Sequence, residues 1–193
     1  MPESRRLVLA HGFTQTARSW HHIQELLAER EPGVETIAVD LPGHGGAAAV
    51  AAELWGAADH LVDRGGRATY VGYSMGGRVA LHAALARPDQ VEGLVLIGAT
   101  AGIDDSTERV ARRTSDDRLA ERIEEIGVEA FVDEWLANPL FARLTDDTAQ
   151  RDDRMRNTAH GLAQSLRSTG TGTQDPLWDR LDEIESPVLV IAG

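Results

Sequence analysis

The sequence has no cysteine and no lysine. All 19 basic residues are arginine, set against 31 acidic residues for a formal charge of −12. Without cysteine there can be no disulfide, no thiolate metal ligand and no thiol nucleophile. The acidic balance supplies nothing to neutralise a phosphate lattice, so neither nucleic acid nor an anionic membrane surface is expected as a partner. Aromatics make up only 5% of the chain. No stretch approaches the roughly 18 consecutive apolar residues of a membrane span. The opening Met-Pro-Glu-Ser-Arg-Arg runs straight into Leu7-Val8-Leu9-Ala10, leaving no room for the apolar core of a signal peptide. The expectation is a soluble cytoplasmic protein.

The 193 residues, 42% of them hydrophobic, suit one globular domain with an insertion. Short runs rich in Val, Leu and Ile recur at Leu7 to Ala10, Val34 to Val39, Ala68 to Val71, Val91 to Ile97 and Val188 to Ile191. Each is bounded by Gly, Pro or Asp, as buried strands of a parallel sheet are. Amphipathic stretches lie between them: Trp20, Ile23 and Leu27 form one apolar stripe, and Leu54, Ala58 and Leu61 another. Strand, helix and strand at this spacing imply right-handed crossovers and an α/β class chain with a doubly wound, mostly parallel sheet.

The alternation stops after Ile97. From Ile103 to Gly172 only helical patterns appear, such as Leu119/Ile123/Ile126 and Val128/Phe131/Val132/Trp135. The division expected is a core of residues 1–102 and 173–193 with a helical cap of 103–172 over the carboxyl ends of the strands, where ligands bind in such sheets. Asp175-Pro176 reads as an N-cap and first helical position, and Ala47 to Ala52 reads as helix former. Trp20, Trp55 and Trp178 read as core. The sequence ends at Gly193, directly after a strand, and the expectation is a longer protein cut short at that point.

Gly72-Tyr73-Ser74-Met75-Gly76-Gly77 follows the third strand and opens a helix expected to run to Ala86. Gly-x-Ser-x-Gly alone is a weak signal; between a strand and a helix it is strong. The turn lifts the Ser74 hydroxyl to a helix N-terminus, where backbone N–H groups favour developing negative charge. The Met75 N–H is the natural first oxyanion donor. His11-Gly12-Phe13 ends the first strand and offers the Phe13 N–H as the second. Asp40-Leu41-Pro42-Gly43-His44-Gly45 reads as a shaped loop with His44 packed inside it.

These three signatures, in this order, resemble the α/β-hydrolase fold over essentially the whole chain. In that fold the acid follows the strand matched by Val188 to Ile191, and the catalytic His follows one strand later. Both are expected beyond Gly193, and none of the seven histidines present is assigned as base. Arg78, one helical turn after Ser74, is unusual for an esterase, because a cation there needs a partner or an anionic ligand. A salt bridge to a cap acid is the alternative. The run Gly72 to Arg78, with Ala111-Arg112-Arg113, Trp135 to Phe141 and Met155-Arg156-Asn157, resembles the 2-succinyl-6-hydroxy-2,4-cyclohexadiene-1-carboxylate synthases of menaquinone biosynthesis.

The resemblance implies a lyase that eliminates pyruvate from a substrate with three carboxylates, starting by proton abstraction from the ring. It implies Arg78, Arg112 and Arg156 on those carboxylates, Tyr73 and Trp135 lining the pocket, and Phe13 with Met75 as the oxyanion pair. Arg112 is preferred to Arg113 by position. A small anionic carboxylate is the expected partner, with no metal and no cofactor; the oligomeric state stays open. The alternatives are a carboxylesterase, lactonase or carbon–carbon hydrolase with Ser74 as nucleophile, or an inactive piece lacking base and acid.

Overall fold

A computed structural model describes residues 5–192; the opening Met1 to Ser4 and the final Gly193 lie outside them. Five strands form one parallel sheet: β1 (Arg5–Ala10), β2 (Val34–Val39), β3 (Ala68–Tyr73), β4 (Val91–Ile97) and β5 (Val188–Ile191), in the order β2-β1-β3-β4-β5. Helices α1 (His21–Arg30), α2 (Leu54–Gly65) and α3 (Met75–Ala86) make the first crossovers. The chain leaves β1 toward one edge of the sheet and returns across it to build toward the other. The strand order therefore reverses at the β1–β3 neighbour pair, where Leu9 faces Val71 and Ala10 faces Gly72. The carboxyl ends of two such strands leave a crevice for ligands. His11-Gly12-Phe13 and Ser74 stand at those two ends.

The central strands are apolar on both faces because helices cover both. Val8, Leu9, Ala10, Tyr70 and Leu94 are essentially inaccessible. α2 places Leu54, Ala58 and Leu61 on the sheet, all buried. α1 departs from its expected stripe. Trp20 belongs to a separate 3-10 turn, Ala17–Trp20, whose start is capped by the Thr16 side chain, which accepts from the Arg18 N–H. The tighter 3-10 rotation shifts the phase of the helix after it, and Ile23 faces solvent.

Residues 106–169 form the helical layer over the strand ends. α4 (Ser106–Leu136) starts where Asp105 accepts from the Glu108 N–H, and is broken at Gly127, whose φ is +78°. The break separates the two stripes seen in the sequence: Ala120 and Ile123 are buried before it, Phe131 and Val132 after it. The short α5 (Asp146–Ala149) and α6 (Arg151–Arg154) lead to α7 (Ala159–Thr169), started by Thr158 accepting from the Gly161 N–H. Ala120, Ile123, Phe131, Leu162, Ala163 and Leu166 make a second apolar cluster, separate from the sheet core. Phe13 packs against both clusters.

Three local expectations are corrected. Ala47 to Ala52 is not helical: a 3-10 turn spans Gly45–Ala47 and an irregular segment comes after it. The loop backbone is committed elsewhere, with the Gly45 N–H donating to Asn157 Oδ1 and the Gly46 N–H to Asp40 Oδ2. Asp175 does not cap a helix. The Leu177 N–H is tied to the Ala101 carbonyl at 2.8 Å, and only then does the 3-10 turn Trp178–Glu183 begin. Trp55 and Trp178 are surface residues at 37% and 50% exposure. Trp178 donates its indole N–H to the Gly102 carbonyl, while Trp55 lies edge-on to His82 under the Arg180 guanidinium.

Candidate active site

β3 ends and α3 begins with one residue between them, Ser74, at φ +52° and ψ −112°. A non-glycine residue at positive φ is strained. It is held there by the Ser74 N–H donating to the Ile97 carbonyl at 2.8 Å and by glycines that let the backbones close. A Cβ on Gly76 would run into the Ala10 and His11 carbonyls, and one on Gly72 into the Gly76 carbonyl. The turn can form only with glycine at both places.

Met75, the first residue of α3, has no carbonyl one turn back for its N–H. Among the described residues, neither this N–H nor that of Phe13 donates to an acceptor. The Met75 N–H adjoins Ser74, and Phe13 lies just past the end of β1, the strand beside β3. Tyr73 lays its ring against Gly12, where a Cβ would come within 2.8 Å of the ring carbons. Trp135 meets Phe13 edge to face at 5.3 Å, stacks on Phe131 and, among the described residues, has no acceptor for its buried indole N–H.

The structure separates the three arginines. Arg78 is 7% exposed and donates to the Thr169 carbonyl at the end of α7 at 2.6 Å. Burial pushes its guanidinium down to about 10, Arg112 adds in the same direction and Asp116 opposes, so it stays charged at neutral pH. Arg112 is half exposed and donates to Asp116 Oδ1 at 2.8 Å. Asp116 is buried and also accepts from the Gly172 N–H. Arg78 and Arg112 therefore share the neighbourhood of one buried carboxylate. The cap acid that the alternative for Arg78 called for is present, although Arg78 hydrogen-bonds a carbonyl and Arg112 takes the carboxylate.

Arg156 is not brought to the serine. It is exposed and lines a cleft of about 520 Å³ with Arg18, His21, Gln24 and Asp152, and that lining includes none of Ser74, Phe13, Met75 or Arg78. The cap guanidinium that does reach the crevice is Arg154, two residues earlier. It is 4% exposed and donates to Thr14 Oγ1, to the Phe13 carbonyl at 3.5 Å and to the Ala149 carbonyl at 2.8 Å. Nothing in the run Arg151-Asp-Asp-Arg-Met-Arg156 marks which arginine turns inward; Arg154 closes the short α6 and Arg156 lies past its end.

The buried histidines are neutral and occupied elsewhere. His11 donates from Nδ1 to the Gly12 carbonyl and accepts the Leu41 N–H at Nε2. Burial pushes His44 down to about 3, helped by the neighbouring His11. Its ring packs 5.0 Å from His11 and 5.8 Å from Phe13. Burial also lowers His82, which donates to the Arg78 carbonyl. Among the described residues no imidazole or carboxylate is hydrogen-bonded to Ser74, and no group of three or more His, Asp or Glu is placed to hold a metal. No helix among them is long and apolar enough to cross a membrane.

The model of the alpha/beta hydrolase family matches residues 7–193. The chain belongs to that family. Within it, the chain is 37% identical to a putative 2-succinyl-6-hydroxy-2,4-cyclohexadiene-1-carboxylate synthase of Bacillus subtilis (strain 168), over 98% of this chain and 73% of that protein. It is 35% identical to the 2-succinyl-6-hydroxy-2,4-cyclohexadiene-1-carboxylate synthase of Salmonella paratyphi B, over 100% of this chain and 78% of that protein. Among solved structures, MenH from S. aureus superposes with a TM-score of 0.83 at 31% identity, covering 98% of this chain and 75% of that one. This hydrolase-family chain thus carries a strained serine between strand and helix and a layer of helices from residue 106 to 169.

Proposed function

We propose that this protein is a 2-succinyl-6-hydroxy-2,4-cyclohexadiene-1-carboxylate synthase: a lyase that removes a ring proton from a tricarboxylate and expels pyruvate. The observation that carries this reading is Arg78, a charged guanidinium buried one turn from Ser74. Acyl transfer to a neutral ester gives no reason to bury a cation there, whereas a carboxylate matches its two-pronged donor. The named relatives, similar along nearly the whole chain, support the same reading.

In this reading Ser74 Oγ faces the ring proton, and the Phe13 and Met75 N–H groups hold the negative charge that grows as that proton leaves. The electrons released form the new ring double bond and break the carbon–oxygen bond to the departing enolpyruvate, which gains one proton at its methylene carbon to become pyruvate and so balances the proton taken from the ring. Arg78 holds a carboxylate, and Tyr73 and Trp135 wall the ring. None of the seven histidines is assigned as the proton acceptor.

The test is pyruvate release by the complete protein, coupled to NADH oxidation by lactate dehydrogenase. One pyruvate per substrate consumed is expected. Absence of pyruvate, together with a stoichiometric burst on p-nitrophenyl esters, would make it an esterase. Arg78→Met should lower kcat/KM by roughly 10²–10³-fold, as for loss of a desolvated charge partner, with the circular dichroism of the wild type. Full kcat/KM in that variant would remove the reason for choosing the lyase.

A further inference from the structure

We propose that Arg154 is a positioning residue: with Asp153 and Asn157 it clamps the Phe13 to Thr16 loop from the cap side and so sets one donor of the oxyanion hole. This rests on the reading of the Phe13 N–H as that donor.

The loop has a reason to need a clamp. Thr14 lies at φ +67°, fully buried, and a β-branched side chain there is disfavoured by its own backbone. Left to itself the segment would relax and swing the Phe13 N–H off its line. The cap supplies the restraint through three residues within one short stretch. Arg154 donates to Thr14 Oγ1 and to the Phe13 carbonyl. Asn157 Nδ2 donates to the Thr14 carbonyl at 2.6 Å. The Asp153 carboxylate accepts from the Thr16 N–H at 3.0 Å and from Thr16 Oγ1. Just upstream, Gln150 Nε2 donates to the Ser19 carbonyl at 3.1 Å.

Every hydrogen-bond acceptor of Arg154 is neutral. A guanidinium buried on carbonyls and a hydroxyl is costly to keep. Surface pairs such as Arg151–Asp133 hold the cap together without any such burial. The position of Arg154 is explained by what it holds, the backbone on both sides of the strained residue. The cap is therefore part of the oxyanion hole: a cap displaced from residues 13–16 leaves Ser74 in place and one donor out of place.

The experiment compares Arg154→Ala, Arg154→Lys, Thr14→Gly and the Thr14→Gly/Arg154→Ala pair in the complete protein. Three quantities are read: kcat and KM for pyruvate release, the rate at which a fluorophosphonate labels Ser74, and amide hydrogen exchange in residues 12–17. In Arg154→Ala, kcat and the labelling rate are expected to fall about 10²-fold, the loss of one mispositioned donor. KM should move less than about threefold and exchange in 12–17 should rise about tenfold or more, with α3 unchanged; Arg154→Lys should fall between. Glycine adopts positive φ without strain, so in the Thr14→Gly background the further loss from Arg154→Ala should shrink to under about tenfold.

A rise in KM with kcat and loop exchange unaltered would make Arg154 a substrate ligand and overturn the clamp. So would a loosened loop with unchanged labelling, equal losses in both backgrounds, or exchange raised evenly along the chain. The labelling and exchange readouts do not depend on the pyruvate chemistry, so failure of the substrate assignment leaves them decisive.

Discussion

Ser74 and Thr14 are both held at positive φ, and each has neighbours that forbid relaxation. Those of Ser74 are its own turn and the adjoining strand ends at Ala10, His11 and Ile97, and the part legible in the sequence was the pair of glycines at 72 and 76 that lets them close. Those of Thr14 lie some 140 residues away in the cap, and no local pattern announces them. Gly76→Ala should destabilise the protein by about 3 kcal/mol or more, the range for an overpacked site with rigid backbone on every side, read as a lowered urea midpoint. Ser74→Ala should abolish turnover while leaving that midpoint within about 1 kcal/mol.

His44 sets a pH dependence. Its ring has an ordinary value of 6.5 and is pushed to about 3 by burial. Between those values the unfolded chain binds the proton and the folded one does not, so stability is whole above about pH 6.5 and falls as pH drops. By pH 5.5 His44 alone should have cost about 1.4 kcal/mol. Burial lowers His11 and His82 as well, which steepens the same limb. His44→Phe should flatten the slope of urea stability between pH 7 and 5 by one histidine's share; an unchanged slope would mean that this ring is protonated in the folded state.

At the scale of the element, all five strands and the helix after Ser74 were readable, since apolar runs bounded by Gly, Pro or Asp have few alternatives in a buried parallel sheet. The failures were of phase and competition. α1 lost its stripe because a 3-10 turn precedes it, and Ala47 to Ala52 lost its helix after a 3-10 turn whose leading Gly45 and Gly46 N–H groups are held by the Asn157 and Asp40 side chains. Arg154 is the last residue of a four-residue helix and Arg156 lies two residues past its end, a stretch too short for periodicity to choose between them. The break in α4 shows the opposite case. Gly127 has nothing within 4 Å of a would-be Cβ, yet its φ is +78° and ψ 173°. Gly127→Ala should therefore cost about 1–3 kcal/mol through backbone strain alone, with loosened amide exchange on both sides of the break and no change around Ser74.

For the whole molecule, the two apolar clusters meet through few side chains, and Phe13 is shared by both. It faces His44 on the core side and Phe131 and Trp135 on the cap side. Phe13→Ala should cost roughly 3–5 kcal/mol if its ring is fully effective in both clusters. It should also separate the melting of the cap, followed by Trp135 fluorescence, from that of the sheet, followed by circular dichroism. One coincident transition would show that polar contacts alone join the layers. The division at residues 102 and 172 was suggested by a change of pattern along the chain; this join across it was not, because it depends on residues that share no stretch of sequence.

The contact between Asp153 and Thr16 spans 137 residues, and it bears on how the protein is made. On a ribosome the serine turn emerges early and can take shape as soon as β1, β3, α3 and β4 are out. The loop at residues 13–16 must wait for the stretch around 153–157 before its geometry is settled. Closing so long a loop comes late in folding, so a growing chain carries its hydroxyl well before it can use it.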